Sequence, residues 1–214
     1  MARKHLIISG TGRAGTTFLV ELLTHLGLES GFKPEEIPRH RNQVARAGLE
    51  KDIREEDCPY LVKSPHFCQY AEEVLSRSDI VIEHVLIPMR DVQAAAESRR
   101  YVTQQALAKW SPMKRWMKKV LRRHGVAGGA PTDPTEAADL EVILLKRLYG
   151  LVLALSNTSV PVILLRYPRL VKDCSYLFEK LTPIIGAVTY EEFRSVFEKT
   201  ASPDLAHSFS EEDR

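Results

Sequence analysis

"SGTGRAGTTFLVELL", residues 9–23, is the stretch on which the reading of this chain turns. Gly10 and Gly15 are separated by four residues and followed by Thr16 and Thr17, the spacing of a phosphate-binding glycine loop. Thr16, however, stands where a nucleoside triphosphatase carries lysine. Upstream, "HLIISG" (5–10) is a short apolar run that stops at glycine, and downstream Phe18, Leu19, Leu22, Leu23 and Leu26 recur at helical spacing up to Gly27. The pattern predicts strand, glycine loop and helix. Glycines let successive backbone N–H groups point inward, and the helix beginning near Gly15 adds its positive dipole end, so the loop favours an anion. Thr16 and Thr17 add hydroxyl donors, and Arg13 is the fixed cation of the loop, with a planar fork suited to phosphate oxygens. The same spacing also serves a strand–helix turn that binds nothing, so the loop is weighed with the rest of the chain.

Working outward, strands and helices alternate. "YLVKS" (60–64), "DIVIEHVLIPMR" (79–90) and "VPVILLRY" (160–167) read as further strands. The segments 67–78, 92–107, 136–157 and 170–182 read as helices, and "GVAGGAPTDPT" (125–135) reads as a loop by its glycine and proline content. This order predicts a single α/β domain over 1–214, a three-layer parallel sheet with helices on both faces.

Composition bounds the rest. The chain has 214 residues and a net charge of +2, which gives no ground for nucleic-acid binding; any basic function is local. No stretch approaches the roughly 18–20 apolar residues of a membrane span. Cys58, Cys68 and Cys174 share no metal-ligand spacing and predict reduced thiols in a cytoplasmic protein, with no metal.

"IPMRDVQAAAESRR" (87–100) supplies a second anion motif: Arg90 at a strand end, and Ser98 about two turns into the next helix with Arg99 and Arg100 beside it. Alone, Arg90 could pair with Asp91 and Ser98 could be a solvated helix residue. Taken with the glycine loop at the same sheet edge, the pair suggests a ligand with two separated phosphates.

"GTGRAGTTFL" together with "RDVQAAAESRR" resembles the sulfotransferases that use 3′-phosphoadenosine 5′-phosphosulfate (PAPS), with a P-loop nucleoside triphosphatase-like fold. "LVKSPHF" (61–67) looks like that family's intervening lysine-and-proline segment, and "VILLRYPRLVKD" (162–173) like its later strand and helix entry. The resemblance implies that Gly12, Arg13, Ala14, Gly15, Thr16 and Thr17 hold the 5′-phosphosulfate, and that Arg90 and Ser98 hold the 3′-phosphate. It also implies sulfuryl transfer to a hydroxyl or amine of a small-molecule, sugar or lipid acceptor, with no metal. Arg13 would stabilise charge on the leaving phosphate, and Lys63 would be a cation near the transferred group. A phosphosulfate carries less charge at the point of transfer than a triphosphate, which accounts for the missing lysine at position 16.

Two residues compete as proton acceptor. His66 follows a predicted strand and titrates near neutral pH. Glu36 in "GFKPEEIPRH" (31–40) occupies the region where the family's glutamate version falls. "KWSPMKRWMKKVLRRHG" (109–125) is a basic amphipathic helix by pattern, with Met113, Trp116, Met117, Val120 and Leu121 on one face, within a possible lid insertion over 108–133. Two rival readings are a nucleotide kinase with a degenerate loop, in which Asp91 would hold magnesium, and a non-catalytic phosphonucleotide-binding protein.

Overall fold

Four apolar segments pair into one all-parallel sheet of order β2–β1–β3–β4 in a computed structural model of the chain, which describes residues 2–42, 47–109, 129 and 139–202. The strands are β1 (Arg3–Ile8), β2 (Leu61–Lys63), β3 (Ile80–Met89) and β4 (Val162–Arg166). Ile8 pairs with Lys63 on one side and Leu86 on the other, and Met89 pairs with Arg166. The ends of all four strands therefore reach one edge. Parallel pairing needs crossover connections, and the predicted helices supply them.

Among the described residues the helices are α1 (Thr16–His25), α2 (Ile37–His40), α3 (Ala71–Leu75), α4 (Val92–Ala108), α5 (Leu140–Ser156), α6 (Arg169–Lys172), α7 (Cys174–Ile185) and α8 (Tyr190–Thr200). Alternation along the strands divides the core. Leu6, Ile8, Leu61, Leu86 and Leu165 pack with α1, α6, α7 and α8, whereas Ile7, Val62, Val85 and Ile87 pack with Phe67, α3 and α5. With apolar partners on either side, Leu6, Ile7 and Ile8 are all fully buried, which is why β1 reads as a continuous apolar run instead of an alternating one.

Two predicted helices are interrupted. The helix expected over 170–182 breaks at Asp173 (φ −118°), whose carboxylate accepts from Tyr176 N at 2.9 Å and so starts α7 afresh. The one expected over 67–78 begins as a 3₁₀ turn, Phe67–Gln69, and breaks at Tyr70 (φ −139°), whose hydroxyl meets Ser64 Oγ at 2.5 Å. α8 lies beyond the segments assigned from sequence; its start is a capping box in which Thr189 and Glu192 satisfy each other's backbone N–H groups. The basic helix at 109–125, the loop at 125–135 and the lid insertion at 108–133 lie outside the described residues, except Ala108, Lys109 and Gly129. No helix among the described residues is long and apolar enough to cross a membrane.

Candidate active site

The glycine loop leaves β1 at Ser9 and enters α1 at Thr16. Gly12 (φ 68°) and Gly15 (φ 84°) both occupy the left-handed region, and Arg13 between them does so as well (φ 58°). That conformation is uncommon for a side chain as large as arginine and costs backbone energy, so the surrounding structure must hold it. The positive φ favours glycine at Gly12 and Gly15, and side chains also close on both: a Cβ on Gly12 would lie 2.7 Å from Arg99 Nη2, and one on Gly15 would lie 2.9 Å from Leu170 Cδ1, so either neighbour would have to shift. Gly15 caps α1 without a side-chain hydrogen bond, so the first amides of that helix remain available to an anion.

The second motif meets this loop directly. Arg13 Nε donates to Ser98 Oγ at 3.1 Å across 85 residues of sequence, and Arg90 Nη1 donates to the Arg13 carbonyl at 2.9 Å. The Arg90 guanidinium lies 4.7 Å from the centre of the Tyr167 ring, which extends the cluster to the end of β4. Arg90 and Ser98 are both buried. Burial lowers the pKa of Arg13, and the Arg90 charge adds to that effect.

Arg99 is the strap over the loop. Its Nη2 donates to Thr11 O and its Nη1 to Gly129 O at 3.2 Å. Burial, reinforced by the charges of Arg147 and Arg13, lowers its pKa to about 10, so it stays cationic at neutral pH.

At the end of β2, Lys63 is only 2% exposed, and its ammonium donates to Thr17 Oγ1 (2.9 Å), Gly48 O (2.6 Å) and Glu50 Oε1 (3.3 Å). Three partners account for its three protons, so Lys63 fixes the loop residue Thr17 from below. Burial lowers its pKa against the pull of Glu50. His66, two residues past Ser64, is exposed at the start of the 3₁₀ turn. Desolvation lowers its pKa; the Arg147 and Arg99 charges act in the same direction and Glu50 opposes them.

The structure thus gathers Gly12, Arg13, Ala14, Gly15, Thr16, Thr17, Lys63, His66, Arg90 and Ser98 at the strand ends. Glu36 is half-buried in the short turn Pro34–Glu36, and its carboxylate forms no hydrogen bond or ion pair among the described residues. The acid that does reach the cluster is Glu50, which the sequence did not single out; no local pattern in "AGLEKD" (47–52) marks it. Arg147 was likewise hidden as an ordinary charge on an apolar helix. Among the described residues no group of three or more His, Cys, Asp or Glu side chains is placed to hold a metal ion. In comparisons with known proteins, no family model and no curated sequence matches the chain.

Proposed function

We propose that the chain is a PAPS-dependent sulfotransferase with a three-layer, P-loop nucleoside triphosphatase-like fold. The observation that carries this reading is the Arg13–Ser98 hydrogen bond of 3.1 Å, with Arg90 on the Arg13 carbonyl. Two anion motifs that are far apart in sequence become one surface at the sheet edge, with a helix start at one side and an arginine stacked on Tyr167 at the other. Such a surface suits a nucleotide bearing phosphate groups at two positions.

In the reaction, an acceptor hydroxyl or amine attacks sulfur, a new S–O or S–N bond forms, and the bond from sulfur to the bridging phosphate oxygen breaks. The electron pair leaves with adenosine 3′,5′-bisphosphate. Arg13 and the loop amides stabilise the negative charge that grows on that phosphate. His66 accepts the acceptor's proton; its lowered pKa keeps it in the neutral, proton-accepting form at pH 7.

Two features weigh against the kinase alternative. Thr16 replaces the phosphate-binding lysine, and Asp91, the acid that reading would assign to magnesium, caps α4 by accepting from Ala94 N at 2.7 Å. The test is a melting experiment. Adenosine 3′,5′-bisphosphate should raise the melting temperature, and ATP with magnesium should do so much less. Equal, magnesium-dependent stabilisation by ATP would support a kinase, and bisphosphate binding without turnover over a broad acceptor panel would support a binding protein.

A further inference from the structure

Two arginines, Arg99 of α4 against the glycine loop and Arg147 on α5, have no acidic partner among the described residues. Arg99 is held by the carbonyls of Thr11 and Gly129 through Nη2 and Nη1, and its third nitrogen, Nε, is buried with no hydrogen-bond partner. Arg147 is exposed on α5 and forms no hydrogen bond or ion pair among the described residues. Its position is fixed by its neighbours one turn away. Leu144 packs with Ala95 and Ala96 of α4, and Leu151 packs with the core that contains Phe67. Bidentate pairing of Arg100 with Glu141, at 2.7 and 2.8 Å, locks α5 to α4. Arg147 therefore stands on α5 between α4 and the turn that begins at His66, within electrostatic reach of Arg99, His66 and Cys68.

Among the described residues no carboxylate pairs with Arg99, and the charges nearest it are those of Arg147 and Arg13; the one acid that reaches this group is Glu50, which acts on His66. Like charges gathered in a partly desolvated place raise the energy of the fold, and an anion between them lowers it. Where this happens along the edge decides which ligand is concerned. Arg90 and Tyr167 lie at the ends of β3 and β4, whereas Lys63 ends β2 and His66 lies just beyond it, on the other side of the glycine loop. We infer that Arg99, Arg147 and His66 line an anion subsite that takes a carboxylate or sulfate group carried by the acceptor. This rests on the sulfotransferase reading and adds a substrate class to it: the acceptor is itself acidic.

The test is calorimetry with phenyl glucuronide, phenyl glucoside and a sulfated phenyl glucoside, on the protein with and without saturating adenosine 3′,5′-bisphosphate. An anionic probe should bind about tenfold more tightly than the neutral glucoside, the effect of a charge-assisted contact. The better of the two anionic probes then identifies carboxylate or sulfate as the group recognised. Arg147→Gln should erase the preference and leave bisphosphate affinity unchanged, and Arg147→Lys should keep part of it. Equal binding of all three probes would overturn the subsite. A parallel loss of bisphosphate affinity in Arg147→Gln would assign Arg147 to the donor and also overturn it. If bisphosphate does not bind but the Arg147-dependent preference persists, the subsite stands and the sulfotransferase reading falls. An NMR titration gives a readout independent of binding: removing a positive charge should raise the His66 pKa in Arg147→Gln, and an unmoved value would refute the proximity on which the subsite depends.

Discussion

The two halves of the sheet's carboxyl edge are built differently. On the β3 and β4 side the cations are committed to the protein itself: Arg13 to Ser98, and Arg90 to the Arg13 carbonyl and the Tyr167 ring. On the β2 side Lys63 is saturated beneath the loop, while Arg99 retains a buried donor without a partner and Arg147 is exposed and unpaired among the described residues. A side organised in advance suits a ligand whose shape is always the same, because little ordering cost remains on binding. A side with unbalanced charge awaits a partner that completes it. On the reading proposed above, the organised side would take the nucleotide donor and the other an anionic acceptor.

The largest effect should come from the β2 side. His66→Ala should lower turnover by roughly 10² to 10⁴, the range for a lost general base, while donor affinity stays nearly intact. On the proposed reading, the acidic limb of the parent protein's rate profile should lie below the ordinary histidine value of 6.5, because desolvation and the arginine charges lower the His66 pKa. Glu36→Ala should leave turnover largely unchanged. If it abolishes turnover while His66→Ala does not, the base lies in the Pro34–Glu36 turn and the contrast between the two halves loses its chemical meaning.

On the other side, Arg90→Ala should weaken adenosine 3′,5′-bisphosphate binding by about 1.5–3 kcal/mol, roughly ten- to 150-fold, by removing a charge-assisted contact. Adenosine 5′-phosphate should lose much less. Calorimetry on both nucleotides would settle the point: equal losses would mean that Arg90 acts only by holding the Arg13 carbonyl, and that the β3 side is loop support instead of a second phosphate site.

What could be read from sequence was what is local. Glycine at positions 10, 12 and 15 announces backbone that other residues avoid, and the eight-residue step from Arg90 to Ser98 spans one strand end and two helical turns. Lys63 was legible as a strand-end cation, but its three partners are not. Thr17 lies 46 residues away, and Gly48 and Glu50 approach through a loop that follows no periodicity. Arg147 was illegible for a different reason: its meaning depends on α5 packing between α4 and the His66 turn, and helical spacing alone marks it as a surface charge. Glu36 drew attention because it follows α1 in sequence, and the fold gives its carboxylate no partner in the cluster. The break at Asp173 follows the opposite logic, since Asp is a good cap but lies inside an apolar periodicity that favours one continuous helix.

Gly12→Ala probes the strap that joins the halves. The new Cβ would sit at φ 68° and 2.7 Å from Arg99 Nη2. The left-handed backbone should cost about 1–2 kcal/mol, lowering the melting temperature by roughly 2–8 °C for a chain of this size. Arg99 must also withdraw from Thr11 O, so binding of both bisphosphate and acidic probes should weaken. A stable variant with unchanged binding of both would show that the strap does not link the two sides.

The smallest effect should come from Glu50→Gln, and its sign with pH makes it informative. Glu50 is about half exposed, so its ion pair with Lys63 should contribute no more than about 1 kcal/mol near pH 7. Glu50 raises the pKa of Lys63 and of His66, so its removal should lower both. For Lys63, whose folded pKa lies below its ordinary 10.5, the protonated form is disfavoured by folding, and stability rises as pH increases through the folded pKa toward 10.5. Above 10.5 Lys63 is neutral in both states, and its attraction to Glu50 no longer counts. The stability deficit of Glu50→Gln should therefore be present at pH 7 and fade as pH approaches 10.5, while the acidic limb of turnover moves to lower pH with His66. Denaturant titrations of the two proteins at several pH values would measure the first trend and rate profiles the second. A deficit that stays constant up to high pH would mean that Glu50 supports the 47–52 loop by packing or hydrogen bonding alone. Lys63 would then be held chiefly by Thr17 and Gly48, and the β2 side would carry still less compensating negative charge than its geometry suggests.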